Sequence, residues 1–137
     1  MNKILIADNV SNAVSEVFDK HNILYDTKVG LSEDELVSEI KNYTGLIVRS
    51  AVTVTEKIIN NAENLKVIGR PGVGVDNVDL IAATAKGIVV MNTPLGNVQA
   101  TAELTFGIIH SLMRKVNIAN YSICLLYTSD AADDLLC

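Results

Sequence analysis

The chain holds almost no cysteine where a cysteine would count. Its two, Cys124 and Cys137, both fall within the last fourteen residues. The body before them offers no disulfide framework, which suits a cytoplasmic protein. Neither cysteine stands at ligand spacing from a histidine or aspartate, so no metal site is expected. Basic charge is scarce as well: 11 Lys and Arg face 16 Asp and Glu, a formal net charge of −5. Nucleic acids and anionic membranes both demand a basic face, so neither is expected as a partner. Long hydrophobic runs are missing too. The longest apolar stretch, "LTFGIIHSLM" (104–113), contains a histidine and falls well short of the roughly 18 residues of a membrane span. The start, "MNKILIADNV", does not resemble a secretory signal, because Asp8 halts its apolar run and no small-residue cleavage site follows. There is no low-complexity linker and no internal repeat beyond a strand–helix unit.

What is present is regular. With 137 residues, 49% of them hydrophobic, the chain can close one core. Five short apolar runs recur: "KILIA" (3–7), "ILYD" (23–26), "GLIV" (45–48), "KVIG" (66–69) and "GIVV" (87–90). Runs apolar on successive residues fit strands of a parallel sheet covered on both faces. Between them lie amphipathic stretches with legible starts. Ser32 and Glu35 stand at capping-box spacing, with Leu36, Val37 and Ile40 as the apolar stripe. Thr53 and Glu56 repeat that spacing, and Asp76 is a capping candidate for a helix ending at Lys86–Gly87. Residues 10–20 form a weaker helical segment. Residues 98–116 predict a longer helix, with Leu104, Ile108, Leu112 and Val116 on one stripe and Arg114 and Lys115 at its end. The tail from about Ser122 continues none of these patterns and reads as foreign to the rest. The alternation implies an α/β fold, a flavodoxin-like doubly wound parallel sheet of five strands. Such sheets bind ligands at the carboxyl ends of their strands. Here those ends carry Asp8–Asn9, Thr27, Arg49–Ser50, Arg70–Gly74 and Asn92–Asn97.

The stretch "GRPGVGVDNVD" (69–79) has the outline of a nucleotide loop. A dinucleotide fingerprint needs G-x-G-x-x-G after a first strand and an acidic residue about 20 positions on. Gly72 and Gly74 supply two glycines, but Asn77 holds the third place, the strand is the fourth, and "NTPLGNV" (92–98) contains no acid. The cofactor fingerprint fails. Two readings stay open: a tight turn, or a cradle whose amides and Arg70 hold an anion. Arg49, ending the third strand, suits a phosphate or carboxylate, and Ser50 beside it could bind or merely cap a turn. Among the remaining polar residues, His110 reads as a helix-face or interface residue, His21 as an exposed helix end, and Asp8 as a helix cap. The run Glu33–Glu35 reads as favourable charge at a helix start.

In order and spacing, "VRS" (48–50), "GRPGVGVDNVD", "AATAKGIVVMNTPLGN" (82–97) and "AELTFGII" (102–109) resemble the amino-terminal region of the D-isomer-specific 2-hydroxyacid dehydrogenases. The resemblance covers residues 1 to about 120. It implies that residues 1–96 are a substrate-binding domain and that 97–120 form a hinge helix leading into a Rossmann nucleotide-binding domain that lies outside this sequence. Residues 121–137 would then be a non-family tail. It further implies that Arg49, Ser50, Arg70, Gly72, Val73, Gly74 and Asn97 bind substrate, with Val73 also touching the cofactor, NAD. No catalytic residue falls in this stretch, because the family's His, Glu and Arg lie downstream. The implied partner is a small anionic 2-hydroxy acid, and the full-length enzyme is expected to be a homo-oligomer. The fragment alone is expected to be inactive. From the geometry of adjacent loops, Arg49 and the glycine-loop amides are expected to form two ends of one anion site. From another class, a receiver-like binding module is the rival, since "KILIADN" resembles a receiver's first strand. That fold wants an acid where Arg49 stands.

Overall fold

The computed structural model describes residues 2–126 and divides into two units, one ending at Asn97 and the other beginning at Val98. In the first unit, β1 (Lys3–Ile6), β2 (Leu24–Thr27), β3 (Gly45–Ile47), β4 (Val67–Arg70) and β5 (Val89–Asn92) form one parallel sheet in the order β2-β1-β3-β4-β5. Between them run α1 (Asn12–Lys20), α2 (Glu33–Glu39), α3 (Glu56–Asn61) and α4 (Leu80–Ala85). The expected flavodoxin-like sheet is therefore what forms. The chain reverses direction at β1, so right-handed crossovers place α1 on one face and α2, α3 and α4 on the other.

The two faces are not equally covered. Leu5, Leu46 and Ile68 point from the three central strands into one core with Leu36, Ile40, Ile58, Ile59 and Ala83, all at most 1% exposed. Among the described residues of the first unit, the opposite face carries only α1, seated beside β2 through Phe18 and Tyr25, whose rings lie 5.6 Å apart. Next to it an apolar groove of about 340 Å³ runs past Ile4, Ile47, Gly69 and Met91. Val89 and Met91 are more than half exposed. The sheet buried on both faces is thus realised fully on one side and only in part on the other.

Local signals explain the helix ends. Ser32 and Glu35 form the expected capping box, with Ser32 N–H donating to the Glu35 carboxylate at 2.8 Å. Gly87, at φ +68°, closes α4 in the left-handed region that glycine tolerates best. Two starts differ from expectation. Thr55, not Thr53, caps α3, and Asp79, not Asp76, caps α4, accepting from Ala82 N–H at 2.9 Å. One feature moves both. Val54 and Val78 pair as an isolated parallel bridge, with Val54 N–H donating to the Asn77 carbonyl and Asp79 N–H to the Val54 carbonyl. Residues held extended in that bridge cannot begin a helix. The acidic run at 33–35 does more than favour a helix start, since Asp34 pairs with Lys57 at 2.6 Å and Glu33 accepts from Thr55 at 2.5 Å, latching α2 to α3.

The edge strand β2 is pinned by charge. The Asp26 carboxylate pairs with Lys3 at 2.6 Å and accepts from the Tyr43 hydroxyl at 2.5 Å. The Lys3 bond, then the Tyr43 bond, hold its pKa below the usual carboxylate value. Burial and the same carboxylate push the Tyr43 hydroxyl up. A carboxylate whose folded pKa is depressed stabilises above its unfolded pKa, about 3.9, and loses that contribution as pH falls through the folded value. Urea unfolding of Asp26→Asn should therefore show a deficit against wild type near neutrality that shrinks below about pH 4. A deficit independent of pH would refute the pairing.

In the second unit the long helix is interrupted. α5 (Val98–Met113) ends before the expected residue 116, and α6 (Val116–Leu126) begins after Lys115, whose φ is +53°. Leu104, Ile108, Leu112 and Val116, the predicted stripe, are all exposed. Ser122–Leu126 of the tail complete α6, and residues 127–137 lie outside the described residues.

Candidate functional site

The carboxyl ends of four strands are stitched into a single rim. After β1, the buried Asp8 (5% exposed) accepts three backbone N–H bonds: Asn9 at 2.7 Å on Oδ1, and Arg49 at 2.9 Å and Ala51 at 3.0 Å on Oδ2. It is no helix cap, because Ser11 caps α1. After β4, the Asn77 side chain donates from Nδ2 to the carbonyls of Arg49 (2.5 Å) and Val52 (2.6 Å). After β5, Asn92 Nδ2 donates to the Val73 carbonyl at 2.6 Å, and Thr93 N–H donates to the Gly72 carbonyl at 2.9 Å. The loop after β3 is thereby fixed on both sides, and the glycine loop is held between it and β5.

On this rim Gly72, Val73 and Gly74 present backbone amides that donate to no acceptor among the described residues. The Arg70 guanidinium folds over Gly72 so closely that a methyl group there would collide with it. Arg70 Nε is buried and has no partner among the described residues. A cation beside free amides, partly withdrawn from water, is the chemistry of an anion seat. Asp76 folds its exposed carboxylate over Gly74, where a Cβ would lie 2.6 Å from Oδ1, so an entering anion displaces that side chain.

The other expected residues are placed as follows. Arg49 and Ser50 are both exposed at the end of β3, and the Ser50 hydroxyl has no hydrogen bond among the described residues. The Arg49 guanidinium does not join the glycine loop. It donates to the Asn9 carbonyl at 3.3 Å, on the β1 side of β3, whereas the loop follows β4 on the other side. The expected placing of the Arg49 side chain toward the loop is therefore not what forms. Only its backbone carbonyl is tied to the loop, through Asn77. The guanidinium, which needs an acceptor rather than the loop's amide donors, takes the Asn9 carbonyl. Asn97 is exposed at the last position of the first unit. His21 is the exposed residue capping the end of α1, and His110 is exposed in the last turn of α5.

A dinucleotide does not fit the glycine loop. Asn77 fills the third glycine position with a side chain already committed to two carbonyls. The N-terminus of α4, where a pyrophosphate would sit, is capped by the chain's own Asp79 carboxylate.

Residues 4–135 match the model of the D-isomer specific 2-hydroxyacid dehydrogenase catalytic domain. The chain belongs to this family. It is 47% identical over 123 residues to human D-3-phosphoglycerate dehydrogenase, a match covering 90% of this chain and 23% of the human protein. It therefore spans about a quarter of the length of such relatives. A crystal structure of a Pyrococcus horikoshii protein superimposes with a TM-score of 0.78 at 31% identity, covering 96% of this chain and 39% of that one. The NAD+-bound 3-phosphoglycerate dehydrogenase of Entamoeba histolytica does so at 0.67 and 33%, covering 79% and 38%. The family is one of oxidoreductases. No helix among the described residues is long and apolar enough to cross a membrane.

Two members of the rim, Asp8 and Asn77, are not identified as such by the sequence. A signal for Asp8 is there: an acid directly after the buried end of a central strand faces the amides of neighbouring loops. Asn77 shows in the sequence only as a missing glycine.

Proposed function

We propose that this chain is the substrate-binding part of an NAD-dependent D-3-phosphoglycerate dehydrogenase, oxidising 3-phosphoglycerate to 3-phosphohydroxypyruvate in serine biosynthesis. The observation that carries this is the 47% identity to an enzyme of that name over nine-tenths of the chain. The rim supports it chemically. The amides of Gly72, Val73 and Gly74 with Arg70 take the substrate carboxylate, and Asn97 stands at the hinge position. The exposed Arg49 leaves its single 3.3 Å bond to Asn9 to meet the phosphate, with Ser50 beside it. In this reading residues 1–96 are the substrate domain and 97–120 the hinge segment. NAD, which accepts the hydride, belongs to a nucleotide domain beyond this chain, apart from a contact at Val73. The full enzyme is a cytoplasmic homo-oligomer. Another D-2-hydroxyacid dehydrogenase, acting on glycerate or hydroxypyruvate, is the neighbouring reading.

Hydride removal from a hydroxy acid needs a base that takes the hydroxyl proton near neutral pH. The chain's histidines stand at an exposed helix end and on an exposed helix face, away from the rim loops in sequence. The 137-residue chain alone should accordingly show no turnover and no micromolar NAD binding by calorimetry. In a full-length enzyme bearing this segment, Arg49→Ala should raise KM for D-3-phosphoglycerate roughly 10- to 100-fold, the worth of a charged hydrogen bond, about 1.5–3 kcal/mol. NAD affinity should hold. Preference for an unphosphorylated hydroxy acid, or a KM indifferent to Arg49, would overturn the assignment.

A further inference from the structure

We propose that Asn77 is the positioning residue of the anion site, setting the Arg49–Ser50 turn against the glycine-loop amides; this rests on the reading of the rim as the substrate site. The turn holds its place by its backbone. Asp8 takes the amides of Arg49 and Ala51 from one side. Asn77 grips the carbonyls of Arg49 and Val52 from the other. Its own carbonyl accepts from Val54 N–H at 2.8 Å, so one residue of the glycine loop holds both ends of the 49–54 segment. An amide nitrogen has two hydrogens, and both are spent here, on two carbonyl oxygens. No other neutral side chain of this length places two donors on one atom at that distance. With the backbone fixed, the side chains of Arg49 and Ser50 stay exposed, Arg49 holding only its single bond to the Asn9 carbonyl. Because Asn77 lies only three residues from Gly74, the distance between the Arg49 end and the amide end is set within one short, cross-linked piece of chain. Asn77 Oδ1 is buried without a partner among the described residues, so the side chain's hold on the turn comes from Nδ2 alone.

The test uses the 137-residue chain with D-3-phosphoglycerate as the probe, followed at the backbone amide resonances of Gly72, Val73 and Gly74. Wild type should bind, with shifts at those amides. Asn77→Asp keeps the shape but turns oxygens toward two carbonyls, and should weaken binding at least tenfold while the spectrum stays dispersed. Ile59→Val, a buried core change in α3 that makes no bond to the rim and lowers stability, should bind as wild type does; this separates positioning from general loosening. If Asn77→Asp fails to fold, Asn77→Ser, which loses both bonds without repulsion, takes its place with the same expected loss. A folded Asn77 variant that binds like wild type overturns the positioning role while leaving the site intact. A wild type that binds nothing removes the rim as substrate site, and this inference with it.

Discussion

Replacing Asp8 with alanine should lower the unfolding free energy of the sheet unit by about 2–4 kcal/mol, as three backbone donors lose a charged acceptor. The effects do not add to three full bonds, because water reaches Asn9, Arg49 and Ala51, all exposed, once the carboxylate is gone. Asp8→Asn makes the argument specific. Its single carbonyl oxygen can keep the two bonds that Oδ2 makes to Arg49 and Ala51, leaving its NH₂ group against the Asn9 N–H. The loss should then be about 1 kcal/mol, one local bond. Urea melts of the three proteins measure it. Equal losses for alanine and asparagine would mean that the negative charge, not the two neutral bonds an amide oxygen can keep, carries the stabilisation.

Leu46→Ala should cost about 3–5 kcal/mol, the range for emptying a well-packed aliphatic site. Leu46 lies in the middle strand of the sheet, fully buried, paired to Leu5 on one side and Ile68 on the other, and packed in the core that α2, α3 and α4 cover. No neighbour can collapse into the gap without moving a strand. That loss approaches the whole stability of an ordinary small domain, about 5–15 kcal/mol, so the variant should be partly unfolded at 37 °C. Met91→Ala, on the uncovered face at 59% exposure, should cost less than about 1 kcal/mol. Comparable losses at the two positions, read by thermal or chemical melts, would contradict the one-sided core.

The sheet and its order were legible because they depend on short-range regularities. Each strand announces itself as an apolar run, each crossover as a 3.6-period stripe, and Ser32–Glu35 and Lys86–Gly87 mark helix ends that are settled within four residues of chain. The glycine loop was legible as a failed dinucleotide fingerprint for the same reason, since Asn77 stands in the string where a glycine is required. These features need no knowledge of what lies across the molecule.

Contacts far apart in sequence decided the rest. The Val54–Val78 bridge joins residues 24 positions apart, and it delayed the starts of α3 and α4 past Thr53 and Asp76, although both had the right chemistry to cap. Asp8 reads locally as a cap, yet its carboxylate meets amides more than 40 residues on, because β1 and β3 are neighbours in the sheet. The Arg49 side chain was expected to face the glycine loop, but its guanidinium takes the Asn9 carbonyl on the other flank, and only its backbone carbonyl is tied to the loop through Asn77. Hydrogen-bond partners of a polar side chain at a strand end depend on which loops the sheet order sets beside it, and on which acceptor lies nearer. The sequence by itself determined the strands, their order and the family; the fold determined how the polar residues at the strand ends are used.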